Sequence, residues 1–300
     1  MNTPRSRSTA ADFDPEVLRL FDQYVHGCID RREFLAGAAR FATGAAGATS
    51  LLAALSPRFA EARQVEPDDV RLAVRHLEYD APKGYGKCRG YLARPAKAEG
   101  KRPLVLVIHE NRGLNPHIED VTRRLALEGY IAFAPDALFP LGGYPGDEDA
   151  ARALFQKLDQ EKTFEGFLAA LDTLAGVEGG NGRIGATGFC YGGAITNRLA
   201  TRRPELAAAA PFYGSAPPVA DVAKIRAEML IVLAANDERV NAGWPAYRDA
   251  LDAAKVTYAL YQPEGTQHGF NNDTTPRYDK AAADEAWKRL LALFERRLRG

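Results

Sequence analysis

After residue 70 the pattern of apolar and polar residues follows two different periods. Short apolar runs alternate with longer stretches in which apolar residues recur every three or four positions, and these two periods indicate β-strands and amphipathic α-helices. The expected strands span residues 70–79, 88–94, 104–108, 130–134, 183–189, 207–213, 229–235 and 257–261, and the expected helices span 117–128, 148–158, 164–174, 194–200, 244–254 and 278–298. Strands that alternate with helices predict an α/β fold with a mostly parallel central sheet and helices on both faces.

The first two strands differ from the later ones. Residues 70–79 and 88–94 are separated by a turn rich in glycine and proline at 82–86, which predicts an antiparallel hairpin at the edge of the sheet. Residues 104–108 are continuously apolar, which is typical of a strand buried on both faces.

The first 62 residues have a different pattern. Arg31 and Arg32 precede a weakly apolar stretch rich in alanine and glycine over 36–55, and 60–62 form a small-x-small site. These features predict a twin-arginine export signal, cleavage before Arg63 and export to the periplasm. The chain would then divide into an N-terminal extension, 1–62, and a catalytic domain, 63–300.

A second interpretation of the extension stays open. Residues 15–25 have a helical period of their own, so the extension could be retained in a cytoplasmic protein as helices packed on the domain. Arg40 and the many alanines and glycines argue against a stable membrane span.

Composition narrows the class of function. The 300 residues carry 39 Lys and Arg and 39 Asp and Glu, so no net charge attracts nucleic acid or an anionic membrane. The three cysteines, Cys28, Cys88 and Cys190, form no C-x-x-C pair, which disfavours a disulfide framework and leaves a Cys88–Cys190 bridge open. The histidines have no metal-ligand spacing, so neither a metal nor a cofactor is expected.

Residues 188–193 form the most specific catalytic motif of the sequence. They read G-F-C-Y-G-G between a predicted strand and a predicted helix, which is the pattern of a nucleophile elbow with Cys190 as nucleophile. The turn is so tight that side chains at Gly188 and Gly192 would clash. A helix N-terminus beside the sulfur favours the thiolate.

Two further groups complete a catalytic set. Active groups of such sheets gather at the carboxyl ends of strands, where Asp237 and His268 also lie. The order nucleophile, acid, histidine is that of the α/β-hydrolase fold. Among the other histidines, His109 is interpreted as a packing or loop-shaping residue and His117 as the start of a surface helix.

Acyl transfer at Cys190 also needs two backbone N–H groups that stabilise an oxyanion. The amide of Tyr191 follows the nucleophile directly and supplies one of them. The loop after residue 108 supplies the other, and Asn111 is the expected donor.

Several motifs together resemble the dienelactone hydrolase family, whose members are α/β-hydrolases with a cysteine nucleophile. They lie at 109–115, 134–136, 188–193, Asp237 and 268–270, and the resemblance covers roughly residues 70–300. The leader resembles that of a bacterial subgroup with a twin-arginine-like N-terminus. The resemblance implies a Cys190–His268–Asp237 triad and a glutamate, Glu110, that contacts the resting thiol until substrate displaces it.

The resemblance also implies carboxymethylenebutenolidase-type activity on an unsaturated lactone. Well-known members hold the substrate carboxylate with arginines, one of them shortly after the catalytic histidine. This chain has Arg277 only later, and Arg112 and Arg239 are candidate substitutes.

Two classes of function follow from these features. The leading hypothesis is a hydrolase of small carboxylic esters or lactones that works through an acyl-cysteine intermediate. The alternative is a non-hydrolytic thiol protein on the same fold, either a redox sensor or a ligand-binding module.

Overall fold

The computed structural model describes residues 8–42, 44–97 and 99–299, and a central sheet of eight strands organises them. The strands lie in the order β1-β2-β4-β3-β5-β6-β7-β8. Their bounds are Leu72–Ala81 (β1), Gly86–Pro95 (β2), Arg102–Ile108 (β3), Ile131–Pro135 (β4), Gly180–Phe189 (β5), Ala208–Phe212 (β6), Glu228–Val232 (β7) and Tyr258–Tyr261 (β8).

Strand direction follows the pattern predicted from the sequence. The β1–β2 hairpin is antiparallel and β2 pairs antiparallel with β4, whereas every other pairing in the sheet is parallel. Helices cover both faces, so the predicted α/β-hydrolase fold is confirmed. The principal helices of the region are Pro116–Leu127 (α5), Glu148–Phe155 (α6), Gln160–Ala175 (α7), Tyr191–Arg202 (α8), Glu238–Asn241 (α9), Trp244–Ala253 (α10) and Lys280–Phe294 (α11).

Strand β3 shows how the core is divided. Leu104, Leu106 and Ile108 join an apolar cluster with α6, α7, α8 and α10, while Val105 and Val107 join a second cluster with α5 and α11. Side chains alternate between the faces of a strand, so a continuous apolar run supplies both clusters at once.

The N-terminal residues form four helices, and the first three share an apolar core of their own. The helices are Pro15–Val25 (α1), Arg31–Ala38 (α2), Gly44–Leu55 (α3) and Phe59–Ala62 (α4). Asp14 and Asp30 cap α1 and α2, and Phe21, Phe34 and Leu55 are buried between the helices. Among the described residues, none of the helices is both long enough and apolar enough to cross a membrane.

This N-terminal segment packs on the domain that contains the sheet. Arg31, the first of the twin arginines, pairs with Asp149 at 2.9 Å, and the amide of Arg58 donates to the carbonyl of Thr274 at 2.8 Å. The packing is of the kind that the retained-extension interpretation predicted. Export and cleavage before Arg63 stay predictions, and residues 1–7 of the proposed leader lie outside the described residues.

Candidate active site

The turn from β5 into α8 presents Cys190 in a strained backbone conformation. Cys190 has φ 56° and ψ −112°, in a region that residues with side chains rarely adopt. A Cβ at Gly188 would clash with the carbonyl of Gly192, and a Cβ at Gly192 would clash with the carbonyl of Ile108, both well inside 3.0 Å. The elbow geometry expected from the glycines is therefore present.

Asp237 and His268 meet beyond the carboxyl ends of β7 and β8. Nδ1 of His268 lies 2.5 Å from Oδ2 of Asp237, and both side chains are buried. Oδ1 of the same carboxylate accepts the amide of Val240 at 3.2 Å and so caps α9. These contacts fix the His268 ring with Nδ1 as the donor, which leaves Nε2 facing the thiol.

A second imidazole lies beside the Cys190 thiol, and the sequence did not indicate it. His26, just after α1, has Nε2 at 3.4 Å from Sγ of Cys190 and at 3.2 Å from Nε2 of His268. His26 lies within residues 1–62, which the sequence predicts to be an export signal, so the sequence gives it no catalytic role. The position of His26 means that the N-terminal segment reaches the thiol of Cys190.

The cluster favours an ionised thiol. Burial acts to raise the pKa of the Cys190 thiol, but the charges of His268 and His26 outweigh burial and hold the pKa below its usual value. Burial likewise acts to lower the pKa of both imidazoles, but the Cys190 thiolate raises it in each case. Two imidazolium rings with Nε2 atoms 3.2 Å apart would repel, so the geometry suits a thiolate with one shared proton.

The loop after β3 carries Glu110, Asn111 and Arg112. Oε2 of Glu110 accepts a hydrogen bond from Asn272 at 3.0 Å, and within the described part of the chain no hydrogen bond joins Glu110 to Sγ of Cys190. Asn111 and Arg112 both donate to the carbonyl of Val25, at 3.0 and 3.1 Å. The loop is thus held against the N-terminal segment.

The two arginines proposed for substrate have different surroundings. Arg112 is buried and lines a cavity of about 320 Å³ with Cys190, His268 and Glu110. Arg239 is exposed, and its Nη2 lies 2.9 Å from Nε2 of His26, beside a second cavity of about 280 Å³. The structure adds Arg277 to the wall of the first cavity.

Two other histidines have structural surroundings. His109 is buried and bonds to the carbonyl of Glu110 and the amide of Ala137, which confirms its loop-shaping role. The prediction that His117 starts a surface helix is wrong about exposure. His117 is buried in α5, 3.2 Å from Asp273, because the loop that carries Asp273 folds over the start of the helix.

His26, Cys190 and His268 are also the group of described residues that could together hold a metal ion. Their ligand atoms all lie within 4.8 Å of one another, although their positions in the sequence show no metal-ligand spacing. Each imidazole binds an oxygen through Nδ1, as metal-ligating histidines do. The guanidinium of Arg239 lies 2.9 Å from the ligand atom of His26, and its positive charge opposes a second cation there.

Known proteins match most of the chain. The model of the dienelactone hydrolase family matches residues 88–298, and a model described as YqhI-like matches residues 5–42. An Escherichia coli K12 protein named "Putative carboxymethylenebutenolidase" is 34% identical over 220 residues, which are 68% of this chain and 81% of that protein. A second protein of the same strain, named "Putative hydrolase fragment YghX", is 53% identical over 112 residues, which are 37% of this chain and 96% of that protein.

Solved structures give the same result. A crystal structure from Klebsiella pneumoniae subsp. pneumoniae MGH 78578, described as a "Putative Dienelactone Hydrolase", has a TM-score of 0.65 and 34% identity, and the match covers 74% of this chain and 98% of that one. The match with the family model spans the elbow, the Asp237 loop and the His268 loop. The chain therefore belongs to the dienelactone hydrolase family and is a hydrolase of that type.

Proposed function

We propose that this hydrolase cleaves small carboxylic esters or lactones through a Cys190–His268–Asp237 triad. One observation carries the proposal. A thiol on a strained elbow, an imidazole and a buried carboxylate come together from three strand ends, with the carboxylate 2.5 Å from the imidazole. The carboxylate fixes the tautomer of the imidazole and stabilises its charged form.

The proposed reaction has two halves. The Cys190 thiolate attacks the ester carbonyl, and His268 gives the proton at Nε2 to the leaving oxygen, so that an acyl-cysteine forms. His268 then takes a proton from water, which attacks the acyl-cysteine and releases the acid. In a lactone, leaving group and acid are parts of one molecule, so the ring opens.

The proposed oxyanion hole uses the amides of Tyr191 and Asn111. Tyr191 is the first residue of α8, where helix amides lack partners within the helix. Asn111 belongs to the loop after β3, and the side-chain bond from Asn111 to Val25 steadies that loop. Two preorganised donors of this kind stabilise a developing oxyanion without reorganising during the reaction.

The proposed substrate carries a carboxylate, as the lactone of a carboxymethylenebutenolidase does. Support comes from the named relatives and from two buried arginines, Arg112 and Arg277, in the wall of the cavity that contains Cys190. Arginine binds carboxylates through paired hydrogen bonds. Arg239 is a weaker candidate because it is exposed and contacts His26. Glu110 lines the same cavity, and we propose that bound substrate displaces its carboxylate.

Purified full-length protein tests the proposal with a dienelactone and with p-nitrophenyl acetate. We expect turnover of at least one, loss of turnover in Cys190→Ala and His268→Ala, and a trapped acyl adduct on the Cys190 peptide. Cys28→Ser is the matched control because Cys28 is an exposed free cysteine, and its turnover should equal that of the wild type. Failure to cleave both esters would favour the non-hydrolytic thiol protein, and full turnover in Cys190→Ala would contradict catalysis by Cys190.

A further inference from the structure

The N-terminal helix α1 brings a functional group to the reacting atom. His26 follows α1 directly, and its Nε2 lies 3.4 Å from Sγ of Cys190, 164 positions away in the chain. Its side chain is largely buried, with 11% exposed. The imidazole therefore belongs to the interior of the site and not to a mobile surface.

The protonation pattern of His26 resembles that of His268. Nδ1 of His26 donates to the carbonyl of Asp22 at 2.7 Å, and the carboxylate of Asp22 lies 3.3 Å away. Because Nδ1 carries its proton, Nε2 is the nitrogen that can accept another one. Cys190 thus faces two imidazoles, and each is backed by an aspartate.

The position next to the thiol is where the family resemblance led us to expect Glu110. In this chain the Glu110 carboxylate is hydrogen-bonded to Asn272 at 3.0 Å, and His26 lies within hydrogen-bonding distance of Sγ. A carboxylate beside sulfur favours the neutral thiol, whereas an imidazole that can become cationic favours the thiolate.

We propose that His26 is a catalytic residue that takes the proton of the resting Cys190 thiol and holds the thiolate. The S–H bond breaks, an N–H bond forms at Nε2 of His26, and the electron pair stays on sulfur. Nε2 of His268, 3.2 Å away, receives that proton for the leaving group during acyl transfer. This role rests on the proposed hydrolysis and adds a resting state in which the thiolate already exists.

Charged groups around His26 determine whether its imidazole is protonated. Asp22 on α1 and the Cys190 thiolate favour the His26 cation, whereas Arg239 and any charge on His268 oppose it. Asp237 and Arg277 act through neighbours, since Asp237 bonds to His268 and Arg277 lies 3.5 Å from Asp22. At 2.9 Å the guanidinium of Arg239 donates to the lone pair of His26 Nε2, so this exposed side chain must turn away when Nε2 takes the proton. Burial also opposes the cation, but the thiolate and Asp22 raise the pKa of His26 above its usual value.

Alkylation of Cys190 by iodoacetamide measures the thiolate directly. The rate is followed between about pH 4 and pH 10 in a full-length Cys28→Ser background, with the Cys190 peptide quantified by mass spectrometry. We expect the wild-type midpoint to lie below that of a free cysteine, about 8.5. Loss of the cation in His26→Gln should raise the midpoint by about one unit or more, which means roughly tenfold less thiolate below both midpoints.

Two further variants complete the test. His76→Gln removes an exposed histidine of β1 and should leave the midpoint unchanged. Asp22→Asn should also raise the midpoint, but by less than His26→Gln does. If circular dichroism shows that His26→Gln does not fold, the midpoint of Asp22→Asn tests the proposal, and an unchanged midpoint there would overturn it. An unchanged midpoint in the folded His26→Gln variant, or faster alkylation at every pH with the same midpoint, would overturn the proposal.

The readout separates this inference from the proposed function, because alkylation needs no ester. A raised midpoint in His26→Gln together with no ester turnover in the wild type would remove the hydrolytic proposal and the proton transfer to a leaving group, and would keep His26 as the residue that holds the thiolate. Turnover that depends on Cys190, together with an unchanged midpoint, would remove only the role of His26.

Discussion

Arg277 is the side chain with the most unused binding capacity near the thiol. It is buried, and its Nε has no hydrogen-bond partner among the described residues. The guanidinium lies over the ring of Phe21 and 3.5 Å from Asp22, and the side chain lines the cavity that contains Cys190. A buried donor without a partner is costly unless a ligand satisfies it, so Arg277 suits an anionic substrate group.

Substitution of Arg277 should separate substrates by charge. In Arg277→Gln we expect KM for a lactone that carries a carboxylate to rise about 10-fold to 100-fold, because a charge-assisted hydrogen bond is lost. KM for neutral p-nitrophenyl acetate should change little. Steady-state kinetics on both substrates provide the measurement, and Arg289→Gln, on the exposed face of α11, is the control. Equal effects on the charged and neutral substrates would contradict a carboxylate site.

At the scale of elements, the strand–turn–helix unit of β5 and α8 places the sulfur. Its glycines are required by close backbone contacts, as the clash at Gly192 illustrates. We expect Gly192→Ala to lower the free energy of unfolding by about 1–3 kcal/mol and to lower turnover, because the added methyl must displace the loop after β3.

Gly176→Ala is the matched control for the elbow, because an added Cβ at the end of α7 meets its nearest atom at an ordinary 3.6 Å. Urea unfolding of both variants measures the difference in stability. A stability loss in Gly192→Ala no greater than in Gly176→Ala would mean that the elbow can relax and that its glycines are not required.

The elements of the hydrolase domain could be predicted because each has a local cause. Buried strands such as Leu104–Ile108 need an uninterrupted apolar run, and amphipathic helices need a period near 3.6. The boundaries were less accurate. The predicted helix 278–298 ends as an α-helix at Phe294 and continues as a π-helical turn, because hydrogen-bonding changes at helix ends leave little trace in composition.

At the scale of the molecule, the candidate site is assembled from two parts of the chain, and only one part was predictable. Cys190, Asp237 and His268 follow from strand ends and chain order. His26 reaches them by packing of α1 on the hydrolase domain, and such long-range packing has no local pattern. A helix rich in alanine and glycine also suits both an export signal and a packed element. One sequence feature could have pointed to His26: Asp22 lies one helical turn before it, on an amphipathic helix.

The N-terminal segment should be retained in the active protein, because the candidate site depends on it. Cleavage before Arg63 would remove His26, the apolar core of α1–α3 and the Phe21 side of the cavity. We therefore expect the active protein isolated from its native cells, whether exported or not, to keep α1, because its loss would expose the cavity wall and take the imidazole of His26 away from Cys190. N-terminal sequencing and intact mass of that material measure the outcome, with turnover per molecule and the Cys190 alkylation midpoint recorded on the same sample. A mature chain that starts at Arg63 with the full turnover and the low midpoint of the intact protein would show that the N-terminal helices are dispensable, and would restore the leader interpretation.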